Sequence, residues 1–167
     1  MNLTEIFNQE NKREELHMPF PMEEFQGKKI NNSPTLDLSL INIGKGKAMI
    51  EGKATLEFTL PCDRCLKPVK QSVELEFERE LLAPELIIDE DTKEDQHFVE
   101  EYELDLYALL IEELQMSWPT KTLCSETCKG ICKKCGNNLN EGKCECDDFV
   151  PDVRLANLMD IFNAAQK

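Results

Sequence analysis

Residues 48–81 read AMIEGKATLEFTLPCDRCLKPVKQSVELEFEREL. In the first half Ile50, Ala54, Leu56, Phe58 and Leu60 share one face of an extended chain, and Glu51, Lys53 and Glu57 share the other. In the second half Val73, Leu75 and Phe77 alternate with Glu74, Glu76 and Glu78. An apolar period of two marks a strand buried on one side and wet on the other, so both halves read as strands of a half-buried antiparallel sheet. The segment Pro61-Cys62-Asp63-Arg64-Cys65-Leu66-Lys67-Pro68 interrupts the pattern, and the whole reads as a long hairpin with a CxxC tip. Gly52, inside the first strand, predicts a bulge or a sharp bend.

Upstream, Leu36, Leu38 and Leu40 alternate with Asp37 and Ser39, a third strand joined to the hairpin by the turn Gly44-Lys45-Gly46-Lys47. Residues 1–34 carry less signal. Glu15 to Phe25 alternates weakly, Pro19 and Pro21 confine any strand there to a sheet edge, and Asn31-Asn32-Ser33-Pro34 is a turn. Downstream, Glu85 to Gln96 is too acidic and too poor in apolar residues to pack, which predicts a mobile loop. His97 to Leu104 predicts one more strand, with Phe98, Tyr102 and Leu104 in phase. Asp105 is placed to cap an amphipathic helix carrying Leu106, Leu109, Leu110 and Leu114, ended by Trp118-Pro119. Asp152 is placed to cap a short last helix with Leu155, Leu158, Met159 and Phe162 at helical spacing.

The expected fold is α+β, a bent antiparallel sheet or small open barrel with one amphipathic helix, a cysteine-rich knuckle and a final helix. The expected organisation is a sheet core with its helix over residues 1–122, a metal-binding lobe over 123–148, and a C-terminal helix over 149–167 that packs back on the core. A chain of 167 residues buries enough surface to fold as one domain, which makes the lobe an appendage.

Six of the eight cysteines lie between Leu123 and Cys146, in a polar stretch with too few apolar residues to fold unaided. Cys132 and Cys135 form a CxxC followed by Gly136, which permits the left-handed turn that aims two sulfurs at one ion. Cys144 and Cys146, reached over the loop from Asn137 to Lys143, supply a second half-site, so these four are the first candidate zinc site. Cys62, Cys65, Cys124 and Cys128 make a second candidate site. The alternative is one zinc, with Cys62 and Cys65 as free thiols and two of the clustered cysteines idle. Spacing alone leaves both open, and it also lets Cys128 compete with Cys144 or Cys146 for the first ion. Neither usual iron–sulfur spacing is present, which favours zinc. A third reading makes Cys62 and Cys65 a redox dithiol with Arg64 lowering a thiol pKa, although this CxxC joins strands and does not open a helix.

The first residues show no basic or strongly apolar leader, and no run approaches the length of a membrane span, so a cytoplasmic protein without membrane association is expected. A formal charge of −14 disfavours nucleic-acid binding by bulk charge. Distribution matters more: Glu85 to Asp105 holds ten acids and one lysine, whereas Lys28 to Lys70 holds seven lysines and Arg64 against four acids. The local basic groups open to an anionic partner are Lys45 and Lys47 in one turn, Arg64, Lys67 and Lys70 near the other, and Lys129, Lys133, Lys134 and Lys143 in the knuckle. His17 and His97 have no motif around them, and no Ser/His/Asp set, phosphate loop or HExxH occurs.

Two stretches together resemble a known family. Leu60-Pro-Cys-Asp-Arg-Cys-Leu-Lys-Pro-Val69 resembles the C-x-R-C-L segment that members of the YceD family carry between two strands. The run from Cys128 to Asn140, with Cys144-Glu-Cys146 and Asp152-Val-Arg-Leu-Ala156, resembles the C-terminal signature of that family, with Val153 where a proline is common. The resemblance implies a noncatalytic role in accumulation of large-subunit (23S) ribosomal RNA. The implied partners are ribosomal RNA or large-subunit assembly intermediates, reached directly or through a ribosomal protein, with no small-molecule substrate, and the nine basic residues named above are then the candidates for RNA contact. It transfers no catalytic residue, and the eight cysteines match as positions whose expected role is metal binding. The readings from other classes are a zinc-stabilised protein adapter unrelated to RNA and the dithiol redox protein.

Overall fold

The computed structural model describes residues 1–146. The expected helix after Asp152 lies outside the described residues. Four strands form one antiparallel sheet in the order β1 (Arg13–Pro19), β4 (Thr35–Gly44), β5 (Lys47–Pro61), β6 (Pro68–Leu82). Two short pairs, β2 (Glu24–Phe25) with β3 (Lys28–Lys29) and β7 (Val99–Glu100) with β8 (Glu103–Leu104), accompany it. Among the described residues the α-helices are α1 (Thr4–Asn8), α2 (Glu90–Asp95) and α3 (Leu106–Ser117).

The long hairpin is the spine of the molecule. β5 and β6 stay in unbroken register from Lys47 opposite Leu82 to Pro61 opposite Pro68. Their alternating residues divide as the pattern demands: Ile50, Leu56, Phe58, Val73, Leu75 and Leu81 are buried, while Lys53, Glu74, Glu76 and Glu78 are exposed. Leu36, Leu38 and Leu40 of β4 extend the buried face. Leu109, Leu110 and Leu114 of α3 and Leu3 and Ile6 at the N-terminus cover it. β1 occupies an edge, where Pro19 can end the ladder without breaking an inner one.

Gly52 is not a bulge. It pairs regularly with Leu38 on one side and Phe77 on the other, and the only register shift between β4 and β5 falls at Asn42/Gly44. The glycine serves close approach instead, because the Phe77 ring occupies the space a Cβ would fill.

The acidic segment holds regular secondary structure where its composition predicts an irregular loop. Asp89 accepts a hydrogen bond from the Thr92 N–H and caps α2. Gln96 is buried and closes both backbone groups of Leu82, accepting from its N–H at 2.7 Å and donating to its carbonyl at 2.9 Å. Composition predicts a mobile loop here because charge suppresses hydrophobic packing; local capping and one buried amide give the segment structure without it. The strand expected over 97–104 is a tight hairpin, turned at Glu101 with φ of 53°. Phe98, Val99 and Leu104 are buried, and Tyr102 is only half-buried.

α3 forms as its pattern predicts. Asp105 accepts from the N–H groups of Tyr107 and Ala108, and the helix ends at Trp118, which precedes Pro119. Its buried Glu113 pairs with Arg79 of β6. Twelve residues at ~1.5 Å each carry the chain roughly 18 Å along the sheet. Trp118 then packs edge-on against Phe58, with ring centroids 4.9 Å apart. The chain arrives at the hairpin tip, where Asp63 donates its N–H to the Thr122 carbonyl (2.8 Å) and accepts the Thr122 N–H on its carboxylate (2.6 Å). That reciprocal pair sets Cys124 beside Cys62 and Cys65.

Candidate metal centre

Pro61 and Pro68 close the hairpin, and inside them Cys62 donates its N–H to the Lys67 carbonyl while Leu66 donates back to the Cys62 carbonyl. This tight turn, with Leu66 at φ of 62°, throws Cys62 and Cys65 toward the arriving chain. The Sγ atoms of Cys62 and Cys128 are 3.8 Å apart, and those of Cys65 and Cys124 are 3.5 Å apart. All four lie within 4.8 Å of one another. A second tetrad, Cys132, Cys135, Cys144 and Cys146, meets the same limit. In it Gly136 takes φ of 75° and donates to the Cys132 carbonyl at 2.9 Å, which tightens the CxxC turn. All eight cysteines are free of disulfides.

The geometry fits an ion in each tetrad. Sulfurs around a tetrahedral zinc with bonds of ~2.3 Å stand about 3.8 Å apart, close to the separations seen in the first tetrad. Backbone N–H groups point at sulfur: Cys124 at Cys62 and Lys134 at Cys132, each at 3.4 Å. Burial opposes ionisation of Cys62, yet the N–H groups of Cys124, Arg64 and Cys65 outweigh it and hold its pKa down at about 6. The N–H groups of Cys135 and Lys134 bring Cys132 to about 6 as well. Cys124 is pushed up to about 12, chiefly by the Cys128 and Cys65 sulfurs, and Cys146 to about 12, chiefly by the Cys135 sulfur. Four crowded sulfurs cannot all carry charge unaided, and a divalent cation is what lets them.

The two tetrads form one lobe. Only Lys129, Gly130 and Ile131 separate Cys128 from Cys132. The Arg64 guanidinium donates to the carbonyls of Cys128 (2.7 Å) and Glu126 (3.3 Å), and the Arg64 carbonyl accepts from Ile131 (3.1 Å). Gly130, with φ of 78°, lies so near that a Cβ would stand 3.0 Å from that carbonyl. Lys67 pairs with Glu141 at 2.6 Å.

The nine basic candidates do not form one patch. Lys45 and Lys47 sit at the far end of β5, about 45 Å from the tip at ~3.3 Å per residue, and Lys47 pairs with Glu80. The Arg64 guanidinium is engaged by two carbonyls, and Lys67 is paired. Lys70, Lys129, Lys133, Lys134 and Lys143 are exposed around the lobe, and among the described residues no ion pair holds them. The reading from sequence missed Asn140, whose side chain reaches Cys128 Sγ, and the Asp63–Thr122 clasp. Neither carries a spacing signal, because each contact joins residues far apart or in a loop.

Among the described residues, no helix is long and apolar enough to cross a membrane. No solved structure matches the chain. Uncharacterised proteins of Mycobacterium bovis and Mycobacterium tuberculosis are each 29% identical over 103 residues, covering 60% of this chain and 49% of theirs. A chloroplast protein of Arabidopsis thaliana, described as large ribosomal RNA subunit accumulation protein YCED homolog 1, is 27% identical over 129 residues, covering 61% of this chain and 40% of its own. The chain thus spans about half, or less, of the length of the curated relatives it matches. Residues 50–162, from near the start of β5 through both tetrads, match the family described as large ribosomal RNA subunit accumulation protein YceD, and the chain belongs to that family.

Proposed function

We propose that this protein is a noncatalytic ribosome-biogenesis factor that supports accumulation of 23S ribosomal RNA, with one structural zinc in each cysteine tetrad. The observation that carries the reading is the convergence of eight sulfurs into two sets, each within 4.8 Å, inside the region that matches the family. Cys62, Cys65, Cys124 and Cys128 would hold one ion, and Cys132, Cys135, Cys144 and Cys146 the other. Bound zinc supplies a cross-link between the hairpin tip and the segment after α3, in place of the hydrophobic core that stretch lacks. Two full thiolate sets leave no open position for a reacting water, in keeping with a noncatalytic role.

Four thiolates around a divalent ion leave a net charge of about −2 per site, so the lysines of the lobe also offset its own centres. Contact with ribosomal RNA or a large-subunit assembly intermediate is assigned to the lobe end, through Lys70, Lys129, Lys133, Lys134 and Lys143, directly or by way of a ribosomal protein. Two measurements test the two halves separately. Elemental analysis of protein purified without chelator is expected to find two zinc per chain, and less than about half an equivalent would sink the zinc reading. Cells depleted of the protein are expected to lose 23S RNA relative to 16S, with the tagged protein cosedimenting with precursor large subunits. Normal 23S levels and no cosedimentation would leave a zinc-stabilised adapter of another process.

A further inference from the structure

We infer that Asn140 couples the two tetrads, so that a metal ion in the second strengthens binding in the first. The inference rests on the zinc reading proposed for the tetrads and concerns this chain's own residues around the ions. Asn140 belongs to the loop between Cys135 and Cys144, whose ends the second ion would hold. Yet its side chain serves the other site: Nδ2 donates to Cys128 Sγ at 3.3 Å, and Oδ1 accepts the Lys129 N–H at 2.7 Å. The second Nδ2 hydrogen goes to Asn138 Oδ1 at 2.8 Å, so both donor hydrogens and the carbonyl oxygen are engaged. Exchanging the amide oxygen and nitrogen would set an oxygen against a thiolate and lose the bond to Lys129, which fixes the orientation.

The rest of the lobe holds Asn140 in place only while the loop is folded. Leu139 donates to the Gly130 carbonyl at 2.9 Å, and Asn138 bridges Ile131. These contacts tie the loop to the three residues between the tetrads. An N–H donated to a ligand sulfur stabilises the thiolate and orients it, and loss of such an outer partner typically costs 10- to 100-fold in metal affinity. The second ion closes the loop, the loop presents the amide, and the amide steadies Cys128. Linkage makes the effect reciprocal: a filled first site strengthens the second by the same factor.

The test uses the full chain loaded with cadmium-113. NMR resolves the two tetrathiolate sites, and the Cys62→Ser/Cys65→Ser variant, which empties the first, assigns them. Competition with a chelator reads the affinity of each. Asn140→Asp keeps the acceptor for Lys129 but removes the donor to Cys128, and is expected to weaken the first site 10- to 100-fold and shift its resonance. Asn140→Ala is expected to do at least as much. Cys144→Ser/Cys146→Ser, which empties the second site, is expected to weaken the first by a similar factor, and adding Asn140→Asp to that variant should then change little. First-site affinity within about threefold of the parent in Asn140→Asp, or effects that simply multiply, would overturn the coupling while leaving both metal sites standing. An unsubstituted chain that binds no metal would instead overturn the zinc reading, and this inference with it.

Discussion

The ring of Phe77 lies across Gly52, its partner on the neighbouring strand. A Cβ at residue 52 would stand 2.2 Å from Phe77 Cζ and 2.3 Å from Cε1, which no side chain tolerates. Gly52→Ala is therefore expected to destabilise the zinc-loaded protein by about 1–3 kcal/mol, although alanine is the better strand residue in isolation. Adding Phe77→Leu should recover part of the loss. Urea denaturation of the two single variants and the double variant measures this; a Gly52→Ala protein as stable as its parent would mean the ring does not rest there in solution.

If each tetrad holds a zinc ion as proposed, its removal should divide the molecule. The sheet buries Leu36, Leu40, Ile50, Leu56, Phe58 and Leu75 without help from any cysteine, whereas the buried apolar side chains of the lobe and the tip are those of Cys62, Cys65, Cys128 and Cys132. Structural zinc is worth an apparent ~10–16 kcal/mol in small domains. Chelation is expected to abolish amide protection over residues 123–146 and the tip at 62–67, while β4 and the middle of β5 stay protected. Cooperative loss of the whole sheet would contradict that division.

Zinc affinity should fall with falling pH, with a change of slope near pH 6. In the metal-free protein Cys62 and Cys132, with pKa values of about 6, are already thiolates at neutral pH. Cys124 and Cys146, at about 12, hold their protons until the ion displaces them. Protons thus compete at every physiological pH, and below about pH 6 one more proton per tetrad joins the competition. Competition titrations across this range, with calorimetry in buffers of different ionisation enthalpy, should show more protons released per zinc at the acid end. An affinity independent of pH would exclude thiols as the ligands.

If ribosomal RNA meets the lobe end, charge reversal at Lys70, Lys129, Lys133 and Lys134 should weaken binding and flatten its salt dependence, by ~0.7 in slope for each single-strand phosphate that is no longer neutralised. Reversal of Lys45 and Lys47, at the opposite end of β5, should leave both unchanged. Equal effects from the two sets would point to general electrostatics. No effect from either, with zinc content intact, would point to recognition through a ribosomal protein.

The hairpin, the third strand, the helix behind Asp105 and the knuckle turn at Gly136 are all legible in the amino-acid order, because each is written in neighbouring residues: a period of two, a helical period, a cap, a left-handed glycine. The order also shows eight cysteines in a family's arrangement, but leaves open which four converge. That depends on α3 delivering Thr122 to Asp63 at the tip, a meeting of residues 59 apart in the chain. The acidic segment departs from the expected irregular loop for a related reason: its helix and its tie to the sheet come from a cap at Asp89 and from the reach of Gln96 back to Leu82, not from apolar content. Gly52 and Asn140 are legible only in three dimensions, since what each residue does is set by Phe77 on the adjacent strand and by a sulfur of the other tetrad. Local periodicity fixes which face is buried; only packing decides which distant groups meet on it.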